Sequence, residues 1–243
     1  MCIRDRYELY RNETFKLNFA RELIKHKIHF CIDLVEDNLK NNDSLNLREE
    51  LNHLKTWKEK ILTVSDIPEL MGVEGSFAKE YFSVYGKLFR QEGIFNGRSK
   101  RPPKDIGNAI LSFIYTLVTN RISSYIDGIG FDPYIGYLHS MDYGRVSLAC
   151  DMVEPFRPMV CDRLTLKIFN LKMLSEDDFD TNENGIRLKK DSLKKFLKIY
   201  QDEMNKEKIY PNGNGKFQNS LLYMTDWLKD CFQTGIVGRL FSE

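Results

Sequence analysis

Between Asn12 and Lys40 the residues Phe15, Phe19, Leu23, Ile24, Ile28, Cys31, Leu34 and Val35 recur at three- and four-residue steps, the mark of a long amphipathic helix. Asn41, Asn42 and Asp43 break the pattern, and Leu47, Leu51, Leu54, Trp57 and Ile61 form the stripe of a second helix. Ser65 and Asp66 are N-capping residues and Pro68 suits a first turn, so a third helix is expected over 67–89, with Glu74, Ala78, Tyr81 and Tyr85 on one face. Gly75 and Ser76 beside them leave room for another backbone. From Asn108 to Ile126 apolar residues fall nearly all round, as in a central buried helix ended by Gly128 and Gly130. Residues 146–170 read as helical with a break at Pro155, whose missing N–H cannot meet the Asp151 carbonyl. Beyond Asn170 the pattern predicts a short strand pair near Phe179 and 186–188, then a helix capped by Asp191 and running to about Lys208. PNGNGK reads as a flexible loop, and 217–232 as a last amphipathic helix.

The chain has 243 residues, 42% hydrophobic and 29% charged, ordinary values for a globular protein with a sizeable core. Apolar runs stop well short of the roughly 18 residues needed to cross a bilayer. Five cysteines, an odd number without CxxC pairing, read as reduced thiols of a cytoplasmic protein. MCIRDR at the start continues no later pattern and resembles a translated adapter remnant. Residues 1–11 are therefore expected to be non-native or disordered, and 12–243 to form one helical domain. A net charge of +1 makes any nucleic-acid role a matter of local patches. GRSKRPPK is such a patch, with Arg98, Lys100, Arg101 and Lys104: either a solvated linker or a clamp on phosphates.

The stretch HSMDYGRVSLACDMVEPFRP carries the chemistry. It brings His139, Asp151, Glu154 and Arg157 together in sequence, the last three at three-residue spacing on one helical face. On a solvated face this is a salt-bridge ladder worth little. Flanked by Leu148, Met152, Val153 and Phe156, it is expected to be partly buried, where acids need a metal or a cation. Hard carboxylate oxygens, one imidazole and a guanidinium suit metal chemistry on a phosphate. Glu74 is the further carboxylate that would complete such a set, although alone it does no more than favour a helix dipole. His26, His29 and His53 lie on the first two helices without a ligand pattern.

Four segments, GVEGSFAKEYF, GRSKRPPKDIGNAILSFIYTLV, GIGFDPYIGYLHS and RVSLACDMVEPFRPMVCDRL, stand in an order that resembles the CRISPR-associated integrases of spacer acquisition, the Cas-one family. The resemblance implies a mainly α, multi-helical catalytic domain, with the family's N-terminal β-rich dimerisation domain largely missing. It implies an Mn2+ or Mg2+ ion held by Glu74 of the VEG motif, His139 of the GYLH motif and Glu154 of the D-x-x-E-P-F-R-P motif, with Asp151 as an auxiliary acid. It also implies a metal-dependent endonuclease and integrase that joins prespacer 3′-hydroxyl ends to the CRISPR repeat by transesterification. Arg98, Lys100, Arg101, Lys104 and Arg157 would hold double-stranded DNA, with Arg145 a weaker candidate. The expected partners are a second copy, in the intact family protein, and a Cas-two type protein, with no membrane. Two other readings stay open: a metal-dependent nuclease on branched or single-stranded DNA, and a non-catalytic helical DNA-binding or assembly subunit.

Overall fold

The computed structural model describes residues 8–42, 45–183 and 185–241. Residues 1–7, MCIRDR among them, lie outside these; of the stretch expected to be non-native or disordered, residues 8–11 are helical, with Leu9 and Tyr10 against the core. The helices are α1 (Glu13–Lys40), α2 (Arg48–Lys60), α3 (Ile67–Gly86), α4 (Ile106–Gly128), α5 (Ser147–Met152), α6 (Arg163–Asn170), α7 (Lys190–Asn205) and α8 (Phe217–Thr234). There are also two antiparallel hairpins, β1 (Phe179–Asn182) with β2 (Gly185–Leu188) and β3 (Lys208–Tyr210) with β4 (Gly213–Gly215). The β3–β4 hairpin replaces the flexible loop expected at PNGNGK. Gly213 at φ +114° makes the reversal possible. No helix among the described residues is long and apolar enough to cross a membrane.

Helix starts follow their capping side chains. Asn12 accepts from the Phe15 N–H at 3.0 Å, Asp66 from Glu69 at 2.8 Å and Asp105 from Asn108 at 2.7 Å. Asp191, expected as a cap, instead lies in the first turn of α7, with Lys189 before it in extended backbone. An acid within that turn still meets the positive end of the helix dipole.

Two hydrophobic clusters form the core, and α1 feeds both. Phe15, Phe19 and Leu23 enter one, and Ala20, Ile24, Ile28, Cys31 and Leu34 the other. The helix packs against α2, α3, α5 and the turn after Pro155, so it is covered on several sides. The single stripe read from its periodicity underestimates this. His26, at the edge of that stripe, and Lys27, within it one turn from Leu23, Ile24 and Cys31, are both buried. The second central helix, α4, packs against α5, α6, α8 and β2 as its all-round apolar pattern predicts.

The segment after α5 has the break that its prolines impose. Glu154 N–H reaches back only three residues, to the Asp151 carbonyl at 3.1 Å, and the chain then widens into a π-helical turn over Arg157–Asp162 before α6. Pro155 and Pro158 have no N–H to give, so the regular four-residue ladder is interrupted at both.

At the end of that turn Asp162 ties three helices together. Tyr81 of α3 donates to its Oδ2 at 2.8 Å, Tyr115 of α4 to its Oδ1 at 2.7 Å, and Tyr85 to its carbonyl at 3.0 Å. Tyr81 is seven residues beyond Glu74 on the same helical face, so this clamp fixes where Glu74 stands relative to the kinked segment. Burial pushes the Asp162 carboxyl up to about 6, against the opposing pull of the two tyrosine hydroxyls, Arg98 and Lys27. A raised carboxyl pKa means that the folded chain holds this proton more tightly than the unfolded one. The associated stability is present at low pH and is lost as pH rises from 3.8 to about 6. Asp162→Asn is expected to flatten the fall in unfolding free energy between pH 4.5 and 7 by about 1–3 kcal/mol, read from urea midpoints of both proteins. Parallel curves for the two proteins would remove this assignment.

Candidate active site

Glu74 on α3 and Glu154 in the kinked segment, 80 positions apart in the chain, meet on one cation, the ammonium of Lys27 on α1. Lys27 donates to Glu74 Oε1 and, at 2.7 Å, to Glu154 Oε2. The other Glu154 oxygen, Oε1, accepts from Arg157 Nη1 at 2.7 Å. Glu154 is 2% exposed, so each oxygen depends on its cation. Burial by itself would raise the Glu154 carboxyl, but Arg157, Lys27 and His139 together hold it down at about 2. The same contacts outweigh burial at Lys27 and Arg157 and raise both cations. Asp151, Glu154 and Arg157 are thus not a solvated ladder: the site is buried, and its partners come from three separate elements.

His139 is held by its loop. Asp151 Oδ1 accepts from the His139 backbone N–H at 3.0 Å and lies 2.7 Å from His139 Nδ1; Oδ2 accepts from Tyr137 N–H at 2.5 Å and Leu138 N–H at 3.0 Å. Four contacts fill the acceptor positions of one carboxylate, so Asp151 serves the loop and has no position left for a metal. With Nδ1 engaged in this way, Nε2 is the nitrogen that remains for a ligand, the arrangement in which a carboxylate orients a metal-binding imidazole. Gly136 makes the tight fold of this loop possible. A Cβ there would stand 2.5 Å from the His139 carbonyl and 2.6 Å from Ser147 Cβ.

A cavity of about 50 Å3 opens beside the ammonium, between Lys27, Glu74, Arg98, Lys100, Tyr115 and Arg157. It has room for an ion or a single water. Both guanidiniums lie over the Tyr115 ring, Arg98 at 5.3 Å and Arg157 at 5.1 Å from its centroid. From Glu74 a wider cavity of about 730 Å3 extends past Gly75, Lys79, Lys87 and Arg98. Gly75 therefore faces open space, and among the described residues no backbone of another element comes within 4 Å of where its Cβ would stand, contrary to the expectation from its small size.

The basic loop divides in two. Arg98 points inward and donates to the Ser99 carbonyl, Asn108 Oδ1 and Ser112 Oγ, a set of bonds that holds the loop against α4. Lys100, Arg101 and Lys104 are exposed. The Pro103 carbonyl accepts from Ile186 N–H at 3.1 Å, which anchors the loop to β2, so it is no free linker.

Comparison with known proteins bears on this arrangement. The description "CRISPR associated protein Cas1" matches residues 1–202. The chain belongs to the Cas1 family. A Cas1 endonuclease of Thermodesulfovibrio yellowstonii is 40% identical over 82% of this chain and 64% of its own length. One from Leptospira interrogans is 32% identical over 82% of this chain and 81% of its own. A Cas1 protein structure from Thermotoga maritima superposes with a TM-score of 0.83 at 27% identity, covering 99% of this chain and 72% of that one. A casposase bound to integration product gives 0.83 at 23% identity, over 96% of this chain and 65% of that one, a likeness of fold. The chain spans about three fifths of several relatives, 64% of the first and 59% of a Thermus thermophilus Cas1 endonuclease.

The fit of a divalent ion to this family member is a matter of donor chemistry. Two carboxylates already converge on one positive charge next to a small cavity, and Asp151 orients the His139 imidazole. Hard oxygens with one nitrogen suit Mn2+ or Mg2+. Among the described residues no three His, Cys, Asp or Glu side chains stand at mutual ligand distance, and an ammonium lies between the two glutamates. Lys27 is the residue that sequence reasoning misses. Its only signal is a lysine on a helix whose neighbours on every side are apolar.

Proposed function

We infer that this chain carries the catalytic groups of a Cas1-type integrase. It would act on double-stranded DNA, joining a prespacer 3′-hydroxyl to a phosphodiester at the CRISPR repeat with a divalent metal. The observation that carries this reading is the meeting of Glu74 and Glu154 at one cation site, beside an imidazole held by Asp151 and a cavity lined with Arg98, Lys100 and Arg157. Mn2+ or Mg2+ bound by Glu74, His139 and Glu154 would polarise a phosphoryl oxygen. The chain's own groups supply the rest. Arg157, fixed by Glu154 and stacked on Tyr115, is a preorganised positive charge for the pentavalent phosphorus, and Lys100 adds a second at the mouth. Asp151 keeps His139 Nδ1 occupied, so that the ring cannot turn Nε2 away.

The relatives are named endonucleases, and hydrolytic cleavage of branched or single-stranded DNA needs the same groups with water in place of the 3′-hydroxyl. An assay offering a 3′-hydroxyl duplex and a repeat target separates the two: joined product supports integration, and cleavage alone supports the nuclease. Solved neighbours include Cas6-RT-Cas1–Cas2 complexes, and we place a Cas2-type partner and a second copy of the chain in the working assembly, in the cytoplasm.

To Lys100, Arg101 and Lys104, the exposed cations of the basic loop, we assign the contact with DNA phosphates. Replacing all three with alanine is expected to reduce the slope of log affinity against log salt by about 1 for each residue touching phosphate. Fluorescence anisotropy on a duplex at several salt concentrations measures it, and an unchanged slope would make the loop structural. Arg98→Ala is expected to loosen the loop instead, because its guanidinium ties Ser99, Asn108 and Ser112 together.

A further inference from the structure

We propose that Lys27 is the resident counter-ion of this site, holding Glu74 and Glu154 together until a divalent cation takes the same two carboxylates. The proposal rests on the metal-site reading above and goes beyond it by assigning a competitor for the metal within the chain.

Charge balance is the first argument. In direct contact, Glu74 and Glu154 bring two negative charges and Lys27 and Arg157 two positive ones, so these four groups balance, and Arg98 and Lys100 add further positive charge around the cavity. A divalent ion added to that set would leave two uncompensated positive charges in a poorly solvated space. One cation must leave the carboxylates, or an anion must enter. Geometry decides which cation leaves. Arg157 is bound to Glu154 alone among the two acids and is pinned over Tyr115, whereas Lys27 bridges both acids, where a shared metal would sit. Its long stem and compact ammonium can re-aim without moving α1, and the cavity of about 50 Å3 lies beside it. Released there, the ammonium would face the substrate phosphate next to Lys100 and Arg157. Lys27 is on this account a positioning residue that keeps two acids from separate elements together before metal and DNA arrive.

The test is a Mn2+ titration followed by electron paramagnetic resonance of the free ion, on the wild-type chain, Lys27→Met and Lys27→Arg, with melting temperatures measured in chelator and in saturating Mn2+. Lys27→Met is expected to bind Mn2+ about tenfold more tightly than wild type, to melt lower in chelator, and to recover more on adding Mn2+ than wild type gains. Lys27→Arg is expected to keep the chelator melting temperature near wild type. Equal or weaker Mn2+ binding by Lys27→Met would overturn the proposal and leave the metal site standing. Absence of Mn2+ binding by the wild-type chain would overturn the metal-site reading itself. Should Lys27→Met fail to fold even with Mn2+, the wild-type ammonium is followed by nitrogen-15 NMR during a Mg2+ titration. Loss or displacement of the Lys27 signal at the binding midpoint supports exchange, and a signal that stays in place refutes it.

Discussion

Glu154→Gln is expected to abolish metal-dependent strand transfer while leaving a folded, helical protein. Glu154→Ala is expected to lose activity and to cost about 3–5 kcal/mol of stability. Both remove the negative charge, and they differ in what is left between the two cations. In the alanine variant Lys27 and Arg157 lose the partner that lies between them, and Lys27 is only 6% exposed. Glutamine keeps a carbonyl oxygen for one of the cations and fills the same volume, but offers a metal no charged ligand. The two glutamates of the site do not respond alike to alanine. The structure separates them: Glu74 is partly exposed and can be removed at small cost, whereas Glu154 cannot. Urea denaturation with a strand-transfer assay distinguishes the cases. Wild-type stability for Glu154→Ala would mean that the buried ion pairs do not form, and retained joining by Glu154→Gln would remove Glu154 from the chemistry. Acid acts on the same group. Its carboxyl is depressed from 4.5 to about 2, so its contribution is present above pH 4.5 and fades as pH falls towards 2.

How much of the fold can be read from the chain alone depends on the range of the forces involved. Helix limits are legible where caps and periodicity are local: Asn12 and Asp66 mark their helices to the residue. The break at Pro155 is legible for the same reason, since a missing N–H is a covalent fact. The π-helical width of the turn after it is not, because it depends on how Asp162 is held by tyrosines 47 to 81 positions away. In the site, the residue types of Glu74, His139, Glu154 and Arg157 are readable through motif order. For Lys27 only the burial is legible, from its place among Leu23, Ile24 and Cys31; the two acids that it meets come from elements 47 and 127 positions away. The part that Asp151 plays in the loop is hidden for a similar reason: its neighbours in sequence are on α5, but its hydrogen bonds go back to residues 137–139.

Those bonds give the second large effect. Asp151→Ala would leave the N–H groups of Tyr137, Leu138 and His139 without their acceptor, the first two of them buried. An orphaned buried donor costs about 1–3 kcal/mol, so a loss of about 2–6 kcal/mol is expected from those two alone. Strand transfer should disappear as well, because His139 loses both the backbone anchor and the Nδ1 partner that orient its ring. His139→Ala makes the comparison sharp. It removes the imidazole and one hydrogen bond but leaves the backbone cap on Asp151, so stability should change by less than about 1 kcal/mol while joining is lost. Asp151→Asn falls between them, since an amide group replaces one acceptor oxygen and would point its own N–H groups at backbone donors. Urea midpoints for the three variants, with joining measured on each, give the order wild type, His139→Ala, Asp151→Asn, Asp151→Ala in stability. If Asp151→Ala is as stable as wild type, the carboxylate does not carry the loop. If His139→Ala joins DNA at the wild-type rate, the imidazole takes no part in the reaction, whatever holds it in place.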